Sequence, residues 1–275
     1  MLKGEVEMEN LRFSIIIPSY NSVDEIGRAI QSIREQTFKN YEIIVVDDCS
    51  TDNTYETLSK EKDIKVIRNS TNLKAGGARN KGLEVAKGEY IIFLDADDYF
   101  AEKETLQKIN DVIGNERTDI VYLGFEIVGR IQEKWIPTEE NSTISQRAQN
   151  WKYENVWDVC WNHEFLKENN MSFIEKRYFE DFVFYYTGIM RAKTYKVASF
   201  VTHIYTMYKS DSITSKVSEE KLQDLYINVI QLLEELKNIP PAKEKADIVY
   251  AVYRVVEYST RLLRQYENDL RTSNS

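Results

Sequence analysis

The sequence predicts an α/β fold, a Rossmann-like, mainly parallel sheet with helices on both faces. Two observations predict it. Short apolar, β-branched runs bounded by polar or turn residues recur through the first 125 residues, and such runs suit strands buried on both sides. Between them stand segments with apolar residues at helical spacing. Strand–helix alternation of this kind requires right-handed crossovers, and these make neighbouring strands parallel and place helices above and below them.

The first strand is Phe13 to Ile17, and residues 23–35 then set Ile26, Ile30 and Ile33 on one helical face. The second and third strands are Ile43 to Val46 and Ile64 to Ile67. A helix over 78–86 carries Leu83 and Ala86, the fourth strand is Tyr90 to Leu94, and a helix over 103–113 carries Leu106, Ile109 and Ile113. Ile120 to Leu123 is the fifth strand. Beyond it the alternation loosens into an aromatic-rich stretch. Two helical patterns close the chain: Leu222, Leu225, Val229, Leu232, Leu233 and Leu236, then, after Pro240-Pro241, Val249, Val252, Tyr253, Val256 and Leu263. These stripes are expected to pack on the rest of the chain or on a second copy, as in a homodimer; contact with a membrane surface is the alternative.

A net charge of −9 argues against wrapping nucleic acid, which needs clustered cations to displace counterions. Cys49 and Cys160 are too few for a disulfide framework and lack metal-ligand spacing, so a reducing, cytoplasmic setting is expected. The acidic first ten residues do not read as a secretory signal, and no apolar run approaches 18 residues. A soluble protein, at most peripheral to the cytosolic face of a membrane, is therefore expected.

In such sheets ligands gather beyond the carboxyl ends of strands. The fourth strand runs into Asp95-Ala-Asp97-Asp98, whose first and third members point the same way in an extended segment. Paired carboxylates suit Mg²⁺ or Mn²⁺ shared with substrate phosphates, although a solvated acidic turn has the same composition. The second strand ends in Asp47-Asp48. Ser50 or Asp52 there can cap the next helix, whereas a carboxylate at a strand end can accept a hydrogen bond from a uracil imide N–H. The first strand ends in Pro18-Ser19-Tyr20-Asn21, which can line the same crevice. Gly76 and Gly77 let a ligand approach the backbone, and Arg79 brings a planar cation to this edge.

These segments together resemble glycosyltransferase family 2, inverting enzymes with the GT-A fold, in its bacterial polysaccharide-biosynthesis form. The matching residues are Ser14-Ile-Ile-Ile-Pro-Ser-Tyr-Asn21, Ile44-Val-Val-Asp47-Asp48-Cys-Ser50-Thr-Asp52-Asn-Thr54, Ala75-Gly-Gly-Ala-Arg79-Asn80 and Phe93-Leu-Asp95-Ala-Asp97-Asp98, the last an Asp-X-Asp motif. Trp157 to Leu166, Tyr178 to Phe184 and Tyr205 to Thr214 resemble the acceptor segment, the Glu-Asp motif and the closing Tyr-and-Ser-Ile-Thr segment.

The resemblance implies that Pro18, Tyr20, Asp47, Asp48 and Arg79 surround the uracil and ribose of a UDP-sugar, with Asn21 in the same turn. It implies that Asp95 faces the ribose, that Asp97 binds the bridging metal, and that Asp181 is the general base with Glu180 beside it. Family members often carry a Lys where this chain has Val159, and Lys209 is a candidate substitute. His163 and His203 are expected to be structural, with His203 the better placed as an extra metal ligand. The rings between Tyr153 and Tyr208 are expected to divide between core and sugar-stacking surface.

The expected organisation is a catalytic domain over 1–216, with a nucleotide-sugar half at about 12–100 and an acceptor half at about 101–216, followed by a helical extension over 217–275. The expected reaction is metal-dependent transfer from a UDP-sugar to a hydroxyl of a growing capsule, lipopolysaccharide or lipid-linked glycan. Two rivals are a binding-only relative and a metal-dependent phosphohydrolase with Asp95 as nucleophile. The second wants Thr or Val two residues after Asp97, where Tyr99 stands.

Overall fold

The computed structural model describes residues 11–139, 155–207 and 217–237, together with 253, 256–257, 259–267 and 271. Its strands are β1 (Phe13–Ser19), β2 (Tyr41–Asp47), β3 (Lys65–Arg68), β4 (Tyr90–Phe93), β5 (Tyr99–Phe100), β6 (Ile120–Gly129), β7 (Glu133–Trp135), β8 (Val159–Asn162) and β9 (Tyr195–Met207). Its helices are α1 (Ile26–Arg34), α2 (Thr54–Leu58), α3 (Lys74–Val85), α4 (Thr105–Ile113), α5 (His163–Glu168), α6 (Glu180–Arg191) and α7 (Glu219–Lys237). The strands form one sheet in the order β3-β2-β1-β4-β8-β6-β9-β5, with β7 paired to β6.

Side chains alternate across a strand, and β1 shows why two layers of helices follow. Ile15 and Ile17 join Ile43 and Val45 in the core under α1 and α4, while Ile16 joins Ile44 and Val46 in the core under α3 and α6. The parallel order expected from the alternation holds for β3-β2-β1-β4. Beyond β4 the sheet is mixed, because β8 lies antiparallel between β4 and β6. β8 is four residues long and buried throughout, too short to show a period.

The chain leaves β1 toward β2 and β3, then returns to place β4 on the other side of β1. The order thus reverses at β1, and in open α/β sheets the ligand-binding position lies beyond the strand ends at such a reversal. Register sets Ser19 of β1 level with Asp47 of β2. The α7 stripe packs inward through Leu225 and Leu232, in the core that also contains α6 and Leu262. Tyr226, Ile230 and Leu233 lie on its exposed side. In the last pattern Tyr253, Val256 and Leu263 are exposed, and Val249 and Val252 lie outside the described residues.

Candidate active site

The loops after β1 and β2 are stitched together by side chains. Asn21 adopts a left-handed φ of 49°, which its short polar side chain tolerates. Its Oδ1 accepts from the backbone N–H of Thr51 at 2.8 Å. Asp48 is buried, and its Oδ1 accepts from Asn69 Nδ2 at 2.8 Å and from the Leu73 N–H at 2.9 Å. Both residues thus hold the loops after β1 and β2 in place. Asp47 differs. Its Oδ2 accepts from the Ser50 N–H and lies 3.4 Å from Arg68 Nε, but Oδ1 is buried without a hydrogen-bond partner among the described residues. A buried unpaired acceptor is costly unless a ligand supplies a donor. Pro18 is half-buried beside it, and Tyr20 is exposed.

The first turns of α3 bring a cation to this edge. Arg79 is 5 % exposed; its Nη1 donates to Glu180 Oε1 at 2.7 Å and its Nη2 to Asp95 Oδ1 at 2.9 Å. Burial opposes its charge, but Asp95, Glu180 and Asp181 outweigh burial and raise its pKa. Arg79, expected beside uracil, thus also bridges two protein carboxylates. Gly76 lies against the same segment. A Cβ there would lie 2.5 Å from the Ile174 carbonyl oxygen and 2.7 Å from Glu180 Cγ, so the missing side chain makes room for the approach of the start of α6.

Glu180 and Asp181 occupy the first turn of α6, where the helix dipole favours negative charge. Phe179, just before them, has a left-handed φ of 60°. Burial raises the pKa of Glu180 against the pull of Arg79. Asp181 keeps partial access to solvent, yet burial and then the Glu180 carboxylate push it up to about 7. A carboxylate poised there can exchange a proton at neutral pH.

Beyond β4, Asp97 is exposed and Asp95 partly so. The Asp97 carbonyl accepts from Thr206 Oγ1 at 2.8 Å, and buried Asp98 accepts from the Thr206 N–H at 2.8 Å. Burial, then Asp95 and Asp97, raise Asp98 well above the ordinary carboxylate range. Two accessible carboxylates one residue apart fit a hard divalent cation that completes its shell with diphosphate and water. Among the described residues, no group of three or more His, Cys, Asp or Glu is arranged to hold a metal. His203 does not join Asp95 and Asp97 in such a group. Its ring lies 4.6 Å from that of Trp157 and 5.8 Å from that of Phe125, and burial lowers its pKa to about 3.

His163 Nδ1 lies 3.0 Å from the Gly88 carbonyl oxygen, a structural contact. Among the described rings of this stretch, Trp157, Trp161, Tyr185 and Tyr186 are buried, whereas Tyr178 and Tyr205 are half-buried and Tyr195 is exposed, a division between core and surface close to the expected one. Val159 is buried too. Lys209 lies outside the described residues.

The profile of Glycosyl transferase family 2 matches residues 14–209, a span that contains Asp47, Arg79, Asp95, Asp97, Glu180 and Asp181. The chain belongs to glycosyl transferase family 2. It is 43 % identical over 114 residues to UDP-Glc:alpha-D-GlcNAc-diphosphoundecaprenol beta-1,3-glucosyltransferase WfaP of Escherichia coli, covering 41 % of this chain and 44 % of that one. It is 28 % identical over 278 residues to GalNAc(5)-diNAcBac-PP-undecaprenol beta-1,3-glucosyltransferase of Campylobacter jejuni, covering 93 % and 85 %. The chain spans less than half the length of several of the curated relatives it matches. Among solved structures, S. aureus TarS in complex with UDP-GlcNAc superposes with a TM-score of 0.71 at 24 % identity, covering 89 % of this chain and 71 % of that one. The fold of this family 2 chain is that of the GT-A enzymes.

Sequence reasoning missed the Glu180–Arg79–Asp95 bridge and the residues of α7 that hold the approach to α6. Asp224 and Asn228 are buried in the helix whose leucines were read as a stripe. The signal was present, since two polar residues four apart share the inward face with Leu225 and Leu232.

Proposed function

We propose that this chain is an inverting glycosyltransferase that moves a sugar from a UDP-sugar, with a divalent metal, to a hydroxyl of a lipid-linked or polymeric glycan. Supporting this reading are family membership and two relatives whose names specify undecaprenol-linked acceptors, one of them with UDP-Glc as donor. The observation that carries it is the Asp181 carboxylate, raised to about 7 beside a Glu180 that Arg79 ties to Asp95 at the donor edge.

In the proposed reaction the acceptor hydroxyl gives its proton to Asp181 as its oxygen attacks the anomeric carbon. The bond from that carbon to the UDP oxygen breaks on the opposite face, which inverts the configuration and leaves UDP. Arg79 fixes the orientation of Glu180 and balances the charge of Asp95, while the free Oδ1 of Asp47 is the acceptor for the uracil imide. A divalent cation, Mg²⁺ or Mn²⁺, held by Asp97 and Asp95 would neutralise the departing diphosphate.

Residues 12–100 serve as the donor half, 101–216 as the acceptor half and 217–275 as a helical extension. No helix of the described residues is long and apolar enough to cross a membrane; the exposed Tyr226, Ile230 and Leu233 of α7 suit peripheral contact with a surface that presents the acceptor lipid. The test is a panel of UDP-sugars scored for thermal stabilisation and UDP release, with Mn²⁺ and with chelator. One UDP-sugar that stabilises the chain and yields metal-dependent UDP release is the expected result. A chain indifferent to every UDP-sugar contradicts the reading.

A further inference from the structure

The helix α7 does more than cover a hydrophobic face. Three residues spaced by four, Glu220, Asp224 and Asn228, line one side of it and reach the starts of two other helices. Asn228 Nδ2 donates to the carbonyl oxygens of Tyr178 at 2.7 Å and Phe179 at 2.8 Å. Asp224 accepts from the Tyr178 N–H at 2.9 Å and from Arg177 Nη1 at 2.6 Å. Lys74, which opens α3 with a left-handed φ of 58°, reaches Glu220 at 2.8 Å and Asp224 at 3.4 Å. Asp224 and Asn228 are 4 % and 1 % exposed.

These contacts fall on the backbone that sets the base. Phe179 is a non-glycine residue in the left-handed region, a conformation that persists only where the surroundings impose it. Both carbonyls gripped by Asn228 flank that turn, and Glu180 and Asp181 follow at once. The Lys74 contact ties down the start of α3, one turn before Arg79. A single helix face thus braces both segments that meet in the Arg79–Glu180 pair.

We propose that Asn228 and Asp224 are positioning residues for the Glu180–Asp181 pair, acting through the left-handed turn at Phe179. This rests on the reading of Asp181 as the base. Asn228 can do so only with its amide donor, so Asn228→Asp, equal in size but unable to donate when ionised, separates the clamp from mere packing.

The experiment compares the full-length parent with Asn228→Ala, Asn228→Asp and Asp224→Asn at pH 8. Trypsin cleavage after Lys176 or Arg177 reports the turn without any substrate, and steady-state transfer reports the base. Both Asn228 variants are expected to be cut faster and to lose about 10- to 100-fold in kcat, with the donor KM unchanged. Asp224→Asn keeps an acceptor for Tyr178 but loses its charge, and falls between them and the parent. Parent-like cleavage of both Asn228 variants overturns the clamp, and so does faster cleavage with undiminished kcat. An Asn228→Asp chain that matches the parent while Asn228→Ala fails assigns Asn228 to packing and overturns it too. A parent inactive on every UDP-sugar sinks the function reading instead, an outcome distinguishable because the tryptic rate needs no substrate.

Discussion

Arg79 and Glu180, 101 residues apart in sequence, meet in a buried ion pair with Nη1 to Oε1 at 2.7 Å. The other Nη of Arg79 holds Asp95, so one guanidinium joins the acidic edge beyond β4 to the start of α6. Breaking a buried pair from one side leaves an uncompensated charge and costs about 3–5 kcal/mol. Arg79→Ala should therefore lower the melting temperature markedly. Arg79→Lys keeps the charge but cannot fork to two carboxylates; it should fold yet lose at least about tenfold in kcat, read by UDP release.

Asp181→Asn removes the proposed proton acceptor without changing its size. Removal of a general base costs typically 10²–10⁴-fold, and that range is expected for kcat, with UDP affinity by calorimetry within about twofold of the parent because the base does not touch the nucleotide.

The same residue links activity and stability to pH. With Asp181 raised to about 7, kcat should fall as pH drops through that value and the carboxylate becomes protonated. For stability the sign is opposite. The folded pKa lies above the unfolded one, so the contribution is fully present below the ordinary Asp value of 3.8 and is lost as pH rises through about 7. Asp181→Asn should melt higher than the parent at pH 8, with the gap closing toward pH 4 in a series of melting curves.

Gly76→Ala tests the close approach of α3 to α6. Its Cβ would fall 2.5 Å from the Ile174 carbonyl oxygen, and overpacking of this kind costs about 1–3 kcal/mol. Lower stability together with lower kcat is expected. Unchanged melting and turnover would show that the two segments separate freely.

The first half of the fold was legible because its signals are local. β1 to β4 and helices α1, α3 and α4 come from period and punctuation alone, and their chemistry sits at strand ends as topology requires. β8 was not legible, since four buried residues carry no period. Within the site, motif and position single out Asp95, Asp97, Glu180 and Asp181 as candidates, and the structure brings Asp95 and Glu180 together on Arg79. The protein contacts of Asn21, Asp48 and Gly76 were not legible for one reason: each meets backbone or side chains of another segment, and a motif does not say which protein groups its residues meet. Asp224 and Asn228 were passed over because the leucines around them satisfied a helical stripe.

Asp97→Ala, measured by titration calorimetry of UDP with and without Mn²⁺, should abolish the metal-dependent part of binding and leave the metal-independent part. Identical metal dependence in parent and variant would place the cation elsewhere.

The most direct measurement is release of UDP from a stabilising UDP-sugar, with a lipid-linked acceptor, by the parent and by Asp181→Asn side by side. Turnover by the parent that disappears in the variant, while both bind UDP equally, is the predicted result. Near-parent turnover by Asp181→Asn would contradict the role of Asp181 as base, on which the proposed mechanism depends.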